Sequence, residues 1–347
     1  MHNPPRLMAI ATAVPPIEIR QADIKARAEA FFNTKGVGMR HMLPVFDNAG
    51  VERRFFAVSL DWLVESHGWA ERNRLYKTHA LDLLEGLSRE LLEKAGLTVD
   101  EIDAIVVASS TGVVTPSLDA LLMERMCMRR DAKRLPIFGL GCAGGVIGLS
   151  RAAALATAAP GSRVLFLVVE LGALTFRPGD HSQGNVVATA LFGDGAAGAI
   201  LSTEGHGPAL GAGGEHTWAQ SLHVMGWSVE DDSLGVIFSR EIPTLVRERF
   251  RAALYQFLSA NRLRVDSIDT FVCHPGGAKV VAALEEAFEL QTGALRDCRE
   301  VLREYGNMSA ATVMFVLKRI IDRAPRGRHL MSALGPGFTA AFQIVEG

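Results

Sequence analysis

Apolar residues return at every third or fourth position across residues 81–94, which predicts an amphipathic helix, and Gly96 follows where a helix ends in a left-handed residue. Residues 102–108 are almost continuously apolar, the pattern of a buried strand, and 163–170 repeat it until Glu170 interrupts, as in a sheet covered on both faces. Between them, 142–158 are apolar around the whole helical circumference. Arg151 is the lone charge there, so the segment reads as a helix enclosed on all sides and stopped by Pro160-Gly161. Further along, 245–260 read as a helix with charged and apolar faces and 268–273 as a strand. Residues 307–323 read as a helix with Asn307 at its N-cap and Lys318, Arg319 and Arg323 near the end where the dipole favours cations. Residues 328–346 read as a hairpin about Gly335-Pro336-Gly337.

These elements come in pairs. Val99-Asp100-Glu101-Ile102-Asp103-Ala104-Ile105-Val106 is echoed 166 residues later by Val265-Asp266-Ser267-Ile268-Asp269-Thr270-Phe271-Val272. Gly141-Cys142 is matched by Gly306-Asn307, and Arg163-Val164-Leu165 by Arg328-His329-Leu330, each at an offset of 165. Three matches at nearly one offset predict an α/β architecture made of two related halves. The Gly-rich stretch 203–233 shows no clear period and reads as their join.

The 347 residues, 48% of them apolar, can bury a sizeable core. Lysine and arginine number 36 against 38 acidic residues, so no general attraction to nucleic acid or to an acidic surface is expected. The first residues lack the charged start and apolar core of a signal peptide. No uninterrupted apolar run reaches the ~18 residues of a membrane span, the longest candidate being 164–169. A soluble, cytoplasmic protein is the expectation. The four cysteines form no CxxC pair, and the histidines no HxxxH or HExxH. Neither a disulfide framework, a metal site nor a nucleotide fingerprint is expected.

Three residues carry the candidate chemistry. Cys142 stands between an apolar segment and a helix start, where free N–H groups and the dipole favour a thiolate, and Gly141, Gly144 and Gly145 leave room for a substrate. His274 follows a strand and precedes Pro275-Gly276-Gly277, so it points to the crevice at the carboxyl edge of a sheet, as a base or cation that could activate a thiol. Asn307 has a complete explanation as an N-cap, but the internal repeat makes it the counterpart of Cys142. A pseudo-twofold relation would bring both helix starts to the centre. Together the three suit acyl transfer through a thioester followed by carbon–carbon bond formation, with imidazole and amide N–H groups holding an enolate.

Beyond Gly141-Cys142-Ala143-Gly144-Gly145, the segments Leu174-Thr175-Phe176-Arg177, Leu191-Phe192-Gly193-Asp194-Gly195-Ala196-Ala197, His274-Pro275-Gly276-Gly277, Tyr305-Gly306-Asn307-Met308-Ser309 and Gly335-Pro336-Gly337-Phe338 stand out. Together they resemble signatures of the type III polyketide synthases, the chalcone synthase-like branch of the thiolase superfamily. The resemblance covers the chain from about residue 100 to its end, and more weakly the part before. It implies a thiolase fold, duplicated in five layers αβαβα, with residues 1–205 carrying the nucleophile and 206–347 carrying His and Asn. It implies Cys142 as nucleophile, His274 and Asn307 as the decarboxylation and oxyanion pair, and Phe192 and Phe238 as aromatic gatekeepers. Ser110, Thr111, Thr115, Gly172, Thr175 and Ser309 would line the cavity. The substrates implied are acyl-CoA and malonyl-CoA, with no cofactor, and the assembly a homodimer.

The chain also departs from the plant pattern. Gly172 replaces a frequent threonine, opening space for a long, fatty starter. Residues 226–229 and 235–240 resemble bacterial alkylresorcinol and alkylpyrone synthases, which implies ring closure to one of those products. The basic residues that hold CoA phosphates are not reproduced between His41 and Asn48, and Arg53 and Arg54 nearby have no assignment. Among rivals, a ketoacyl synthase of the fatty-acid initiating type shares the three residues but not Phe192 or Gly335-Pro336-Gly337-Phe338. A degradative thiolase would carry a second cysteine in that C-terminal loop, and a papain-like hydrolase a Cys-Gly-Ser-Cys-Trp signature. A non-catalytic scaffold would have lost one of the three.

Overall fold

A computed structural model describes residues 3–34, 42–323 and 326–347. Its strands are β1 (Arg6–Ala13), β2 (Ile17–Arg20), β3 (Arg53–Phe56), β4 (Ala104–Ala108), β5 (Lys133–Ile137), β6 (Val164–Leu171) and β7 (Asp194–Ser202). They are followed by β8 (Ala209–Thr217), β9 (Met225–Val229), β10 (Leu234–Phe238), β11 (Thr270–Cys273), β12 (Arg328–Gly335) and β13 (Thr339–Glu346). Nine of these make one sheet in the order β11-β12-β13-β8-β1-β7-β6-β4-β5.

That order shows the duplication directly. Outward from the centre, β1-β7-β6-β4 on one side answers β8-β13-β12-β11 on the other. Directions repeat as well. The β1/β7, β6/β7, β8/β13 and β12/β13 pairs are antiparallel, while β4/β6 and β11/β12 are parallel. The halves meet at Arg6 opposite Ala209, with Leu7 and Leu210 donating N–H bonds to Pro208 and Pro5.

The two faces of β6 explain the layers. Val164, Phe166 and Val168 point into one apolar cluster with the helix Gly144–Ala158, whereas Leu165, Leu167 and Val169 point into another with the helix Trp69–Ala95. Period-2 alternation therefore puts a helix on each face. The Gly144–Ala158 helix also packs against β8, β12 and β13, so it lies between the two halves of the sheet; it is not enclosed on all sides, because Arg151, Ala154, Thr157 and Ala158 are exposed toward its C-terminal end. With the helix Arg251–Ala260 beyond the second half, the five αβαβα layers are complete.

Several expectations need correction. The first helix begins at Trp69, and Gly96 closes it at φ 65. The 245–260 helix is broken into Ile242–Leu245, a wider turn Val246–Phe250, and Arg251–Ala260. The stretch 203–233 is not irregular: it holds β8 and β9. Its glycines serve close approach, since a Cβ at Gly214 would lie 2.5 Å from Phe257 Cδ2. The segment Gly141–Ala158 does have the length and apolarity of a membrane span, but 67% of it is buried within the molecule, as befits a core helix.

The central layer depends on glycine. A Cβ at Gly148 would sit 2.6 Å from Phe166 Cε2. One at Gly145 would overlap the Ala310 carbonyl oxygen and approach Val313 Cγ1 to 2.7 Å. Gly145→Ala is therefore expected to cost about 1–3 kcal/mol, as overpacked cores do, read as a lower denaturation midpoint with an unchanged slope.

Candidate active site

After β5 the chain makes a single 3₁₀ turn, Gly141–Ala143, and enters the helix Gly144–Ala158. Gly141 adopts φ +46, and a Cβ there would lie 2.6 Å from Pro336 Cδ. A Cβ at Gly335 would in turn meet the Leu140 oxygen at 2.5 Å. The loop between β12 and β13 thus sits directly on the turn that carries Cys142. The thiol is buried, 7% exposed, and faces the N-terminal end of a 15-residue helix.

His274 leaves the end of β11, and its N–H donates to the Ser332 oxygen at 2.8 Å, continuing the parallel pairing with β12. Neither ring nitrogen has a hydrogen-bond partner, although the residue is only 4% exposed. Such an unsatisfied buried ring needs a partner from outside the chain.

Asn307 is not the N-cap expected of it. A 3₁₀ turn, Ser309–Ala311, intervenes before the helix Thr312–Arg323. Thr312 opens that helix, and its hydroxyl reaches back, accepting from Met308 N–H at 2.8 Å and donating to Ser309 O at 3.0 Å. Asn307 Oδ1 accepts the Ser309 N–H at 2.8 Å, and Nδ2 donates to Gly276 O at 3.3 Å, beside the histidine. Its backbone forms a parallel bridge with Phe192, taking N–H from Gly193 at 3.0 Å and giving its own to Leu191 at 2.8 Å. The amide is therefore held from both sides.

Cys142, His274, Asn307 and Phe238 line one cavity. Burial pushes the Cys142 thiol up to about 12, although Ser309 and Asn307 hydrogen-bond the sulfur and pull the other way. Burial alone pushes His274 down to about 3. The sequence argument for a standing thiolate thus meets a stronger opposing term, because desolvation outweighs the helix end. Both groups rest neutral. A proton moved from sulfur to imidazole would create a thiolate with no change in net charge, although no hydrogen bond joins the two side chains in this structure.

Gly172, Thr175 and Phe192 line a second, mostly apolar pocket, together with residues such as Ile24, Leu63 and Phe176. The Phe192 ring meets Trp227 edge-on, with centroids 6.1 Å apart. Ser309 lies at the sulfur. Ser110 is bound instead to Glu170, and Thr111 accepts the Leu171 N–H at 2.9 Å; neither lines these two cavities. Thr115 is not brought to them either: it is exposed on the turn before the helix Leu118–Arg125.

Sequence reasoning missed Glu170. Fully buried, it accepts from Ser110 N and Oγ at 3.0 and 2.9 Å, and burial pushes its carboxyl up to about 7. One carboxylate in an apolar strand was the available signal. Arg54 was left unassigned and is fully buried, so it cannot meet a CoA phosphate; Arg53 pairs with Glu18 at 3.4 Å. Of the expected phosphate region, His41 lies outside the described residues. Among the described residues no cluster of three metal-ligating side chains occurs.

Comparison with known proteins adds to this geometry. The model of chalcone and stilbene synthases, N-terminal domain, matches residues 2–205, and that of the C-terminal domain matches 217–345. A 1,3,6,8-tetrahydroxynaphthalene synthase of Streptomyces peucetius subsp. caesius is 37% identical over 348 residues, covering 97% of this chain and 92% of the relative. A putative chalcone synthase of Bacillus subtilis (strain 168) is 34% identical over 351 residues, covering 96% of each. The solved 1,3,6,8-tetrahydroxynaphthalene synthase of Streptomyces coelicolor A3(2), a bacterial type III polyketide synthase, superposes with a TM-score of 0.92 at 26% identity over 98% of both chains.

The paired ionisation has a measurable signature. In His274→Gln the thiol must lose its proton to water, against the upward push of burial. Alkylation of Cys142 by iodoacetamide should then fall at least about tenfold at pH 7 and climb about tenfold per pH unit from 7 to 9, tracking the thiolate fraction. The wild-type profile should be shallower, because the proton goes to His274.

Proposed function

The chain belongs to the chalcone and stilbene synthase family and is a type III polyketide synthase, and on that premise we propose that it extends a fatty acyl-CoA starter with malonyl-CoA units and closes the product to an alkylpyrone or alkylresorcinol. Membership in both halves leaves no place for the hydrolase, ketoacyl synthase or scaffold alternatives. In the proposed cycle the Cys142 thiolate attacks the starter thioester, His274 holds its proton, and the CoA thiolate leaves with that proton. Malonyl-CoA then loses carbon dioxide. The enolate oxygen is held by N–H groups of His274 and Asn307, donors of a kind worth on the order of 3 kcal/mol each. The enolate carbon attacks the acyl carbonyl, and the Cys142 sulfur is released for the next round. The enzyme works as a cytoplasmic homodimer in this reading.

The observation that supports a fatty starter is the apolar lining of the pocket beside Gly172. A Cβ at Gly172 would press on Phe192 Cβ at 3.2 Å, so the missing side chain leaves room at the gatekeeper. Aliphatic and aromatic side chains such as Ile24, Leu63 and Phe176 dominate that lining, with Arg27 and Arg54 at its border, which suits a hydrocarbon chain.

The test is mass spectrometry of products formed from malonyl-CoA with acyl-CoA starters of graded length. Alkylated ketide products should dominate with long starters, and Gly172→Thr should shift the preference to shorter ones, costing the longest about tenfold in kcat/KM. Formation of 1,3,6,8-tetrahydroxynaphthalene from malonyl-CoA alone, with no use of fatty starters, would overturn the fatty reading.

A further inference from the structure

The most unusual buried group outside the reacting trio is Arg54. Its side chain is fully buried, and it makes no direct ion pair among the described residues. Its Nη1 donates to the Thr189 and Phe192 carbonyl oxygens, each at 2.7 Å, and its Nη2 to Gln21 Oε1 at 2.7 Å. Gln21 in turn donates to Ala190 O at 2.9 Å and Phe46 O at 3.2 Å. One guanidinium thus holds the end of the helix Gln183–Leu191 and the carbonyl of the gatekeeper Phe192.

The same side chain supports the other strand of the bridge. Gly306, immediately before Asn307, adopts φ +69, and a Cβ there would lie 2.7 Å from Arg54 Cγ and Cδ. The residues on either side of Phe192 hydrogen-bond the backbone of Asn307. Arg54 therefore touches both segments whose pairing fixes the amide. Asp194 completes the frame through space: its carboxylate accepts Ala57 N–H and Ala173 N–H, each at 2.8 Å, and so ties the chamber wall beside Gly172 to the end of β3. Burying a cation here is costly, and an apolar side chain of equal volume would avoid that cost. What the apolar chain could not do is satisfy several carbonyl oxygens at fixed spacing, which a planar fork of donors does.

We propose that Arg54 is a positioning residue for decarboxylative condensation, setting Asn307 and Phe192 through their shared backbone bridge while leaving the acylation of Cys142 to other elements. The inference rests on the family's condensing activity and is independent of the starter. Cys142 is placed by the 141–143 turn and the 335–337 loop, which Arg54 does not touch. Small misplacement of an oxyanion donor is enough to slow its step.

The experiment compares two partial reactions in the full-length enzyme: carbon dioxide release from malonyl-CoA, and acyl loading of Cys142 followed by intact mass. Arg54→Met should lower decarboxylation about a hundredfold while loading stays within about threefold. Arg54→Lys, which keeps the charge and part of the donor set, should recover part of the loss. Gln21→Met, which removes one anchor of the guanidinium and is the milder change should Arg54→Met not fold, should lower decarboxylation in the same selective way. Loading and decarboxylation falling by one common factor in folded variants, or decarboxylation unchanged in Arg54→Lys and Gln21→Met, would overturn the assignment. Wild-type enzyme that releases no carbon dioxide from malonyl-CoA would overturn it together with the condensing activity beneath it, whereas a wild type that does so leaves only the role of Arg54 at stake.

Discussion

No side chain fits between residue 145 and the carbonyl of Ala310, and the molecule is arranged around that contact. Two sheet halves share one helical layer only if the helix starts within it approach backbone to backbone. Glycine allows that, and the approach brings the turn bearing Cys142 against the turn that follows Asn307. Packing and chemistry are here the same fact. The small residues that close the core also set how closely the Cys142 turn approaches the turn after Asn307.

The electrostatic character of the site follows from this closure. Burial discourages charge on every titratable group near the sulfur: thiol and carboxyl are driven up, and imidazole down. A dry, neutral pocket strengthens each donor when charge appears during reaction, because little solvent competes. The buried cation Arg54 belongs to the same logic at one remove. Its charge is spent on carbonyl dipoles that shape the wall, and burial lowers its own pKa to about 9.

Much of this was legible in the sequence. The repeat offsets reported the palindromic sheet, because equivalent strands keep equivalent apolar runs. Cys142, His274 and Asn307 could be found because each sits at a punctuation point, with glycine marking the turn. The failures have physical causes. Gly211, Gly213 and Gly214 looked like loop residues, yet in β8 they make room for neighbours such as Phe257. Asn307 fits an N-cap by type, and its side-chain oxygen does accept the Ser309 N–H, but a 3₁₀ turn rather than the α-helix begins there. Arg53 and Arg54 have no assignment in the sequence, and alternation in β3 turns one side chain out and the other into the core. Nothing in local pattern distinguishes which of the two goes inward.

The site is also assembled from parts that leave the ribosome far apart. The thiol turn emerges well before the 335–337 loop that seats on it, which belongs to the hairpin β12–β13. During vectorial synthesis the turn bearing Cys142 therefore exists before the loop that covers it and before the segments carrying His274 and Asn307. The cavity that gathers the three side chains closes only once both halves of the sheet have been made.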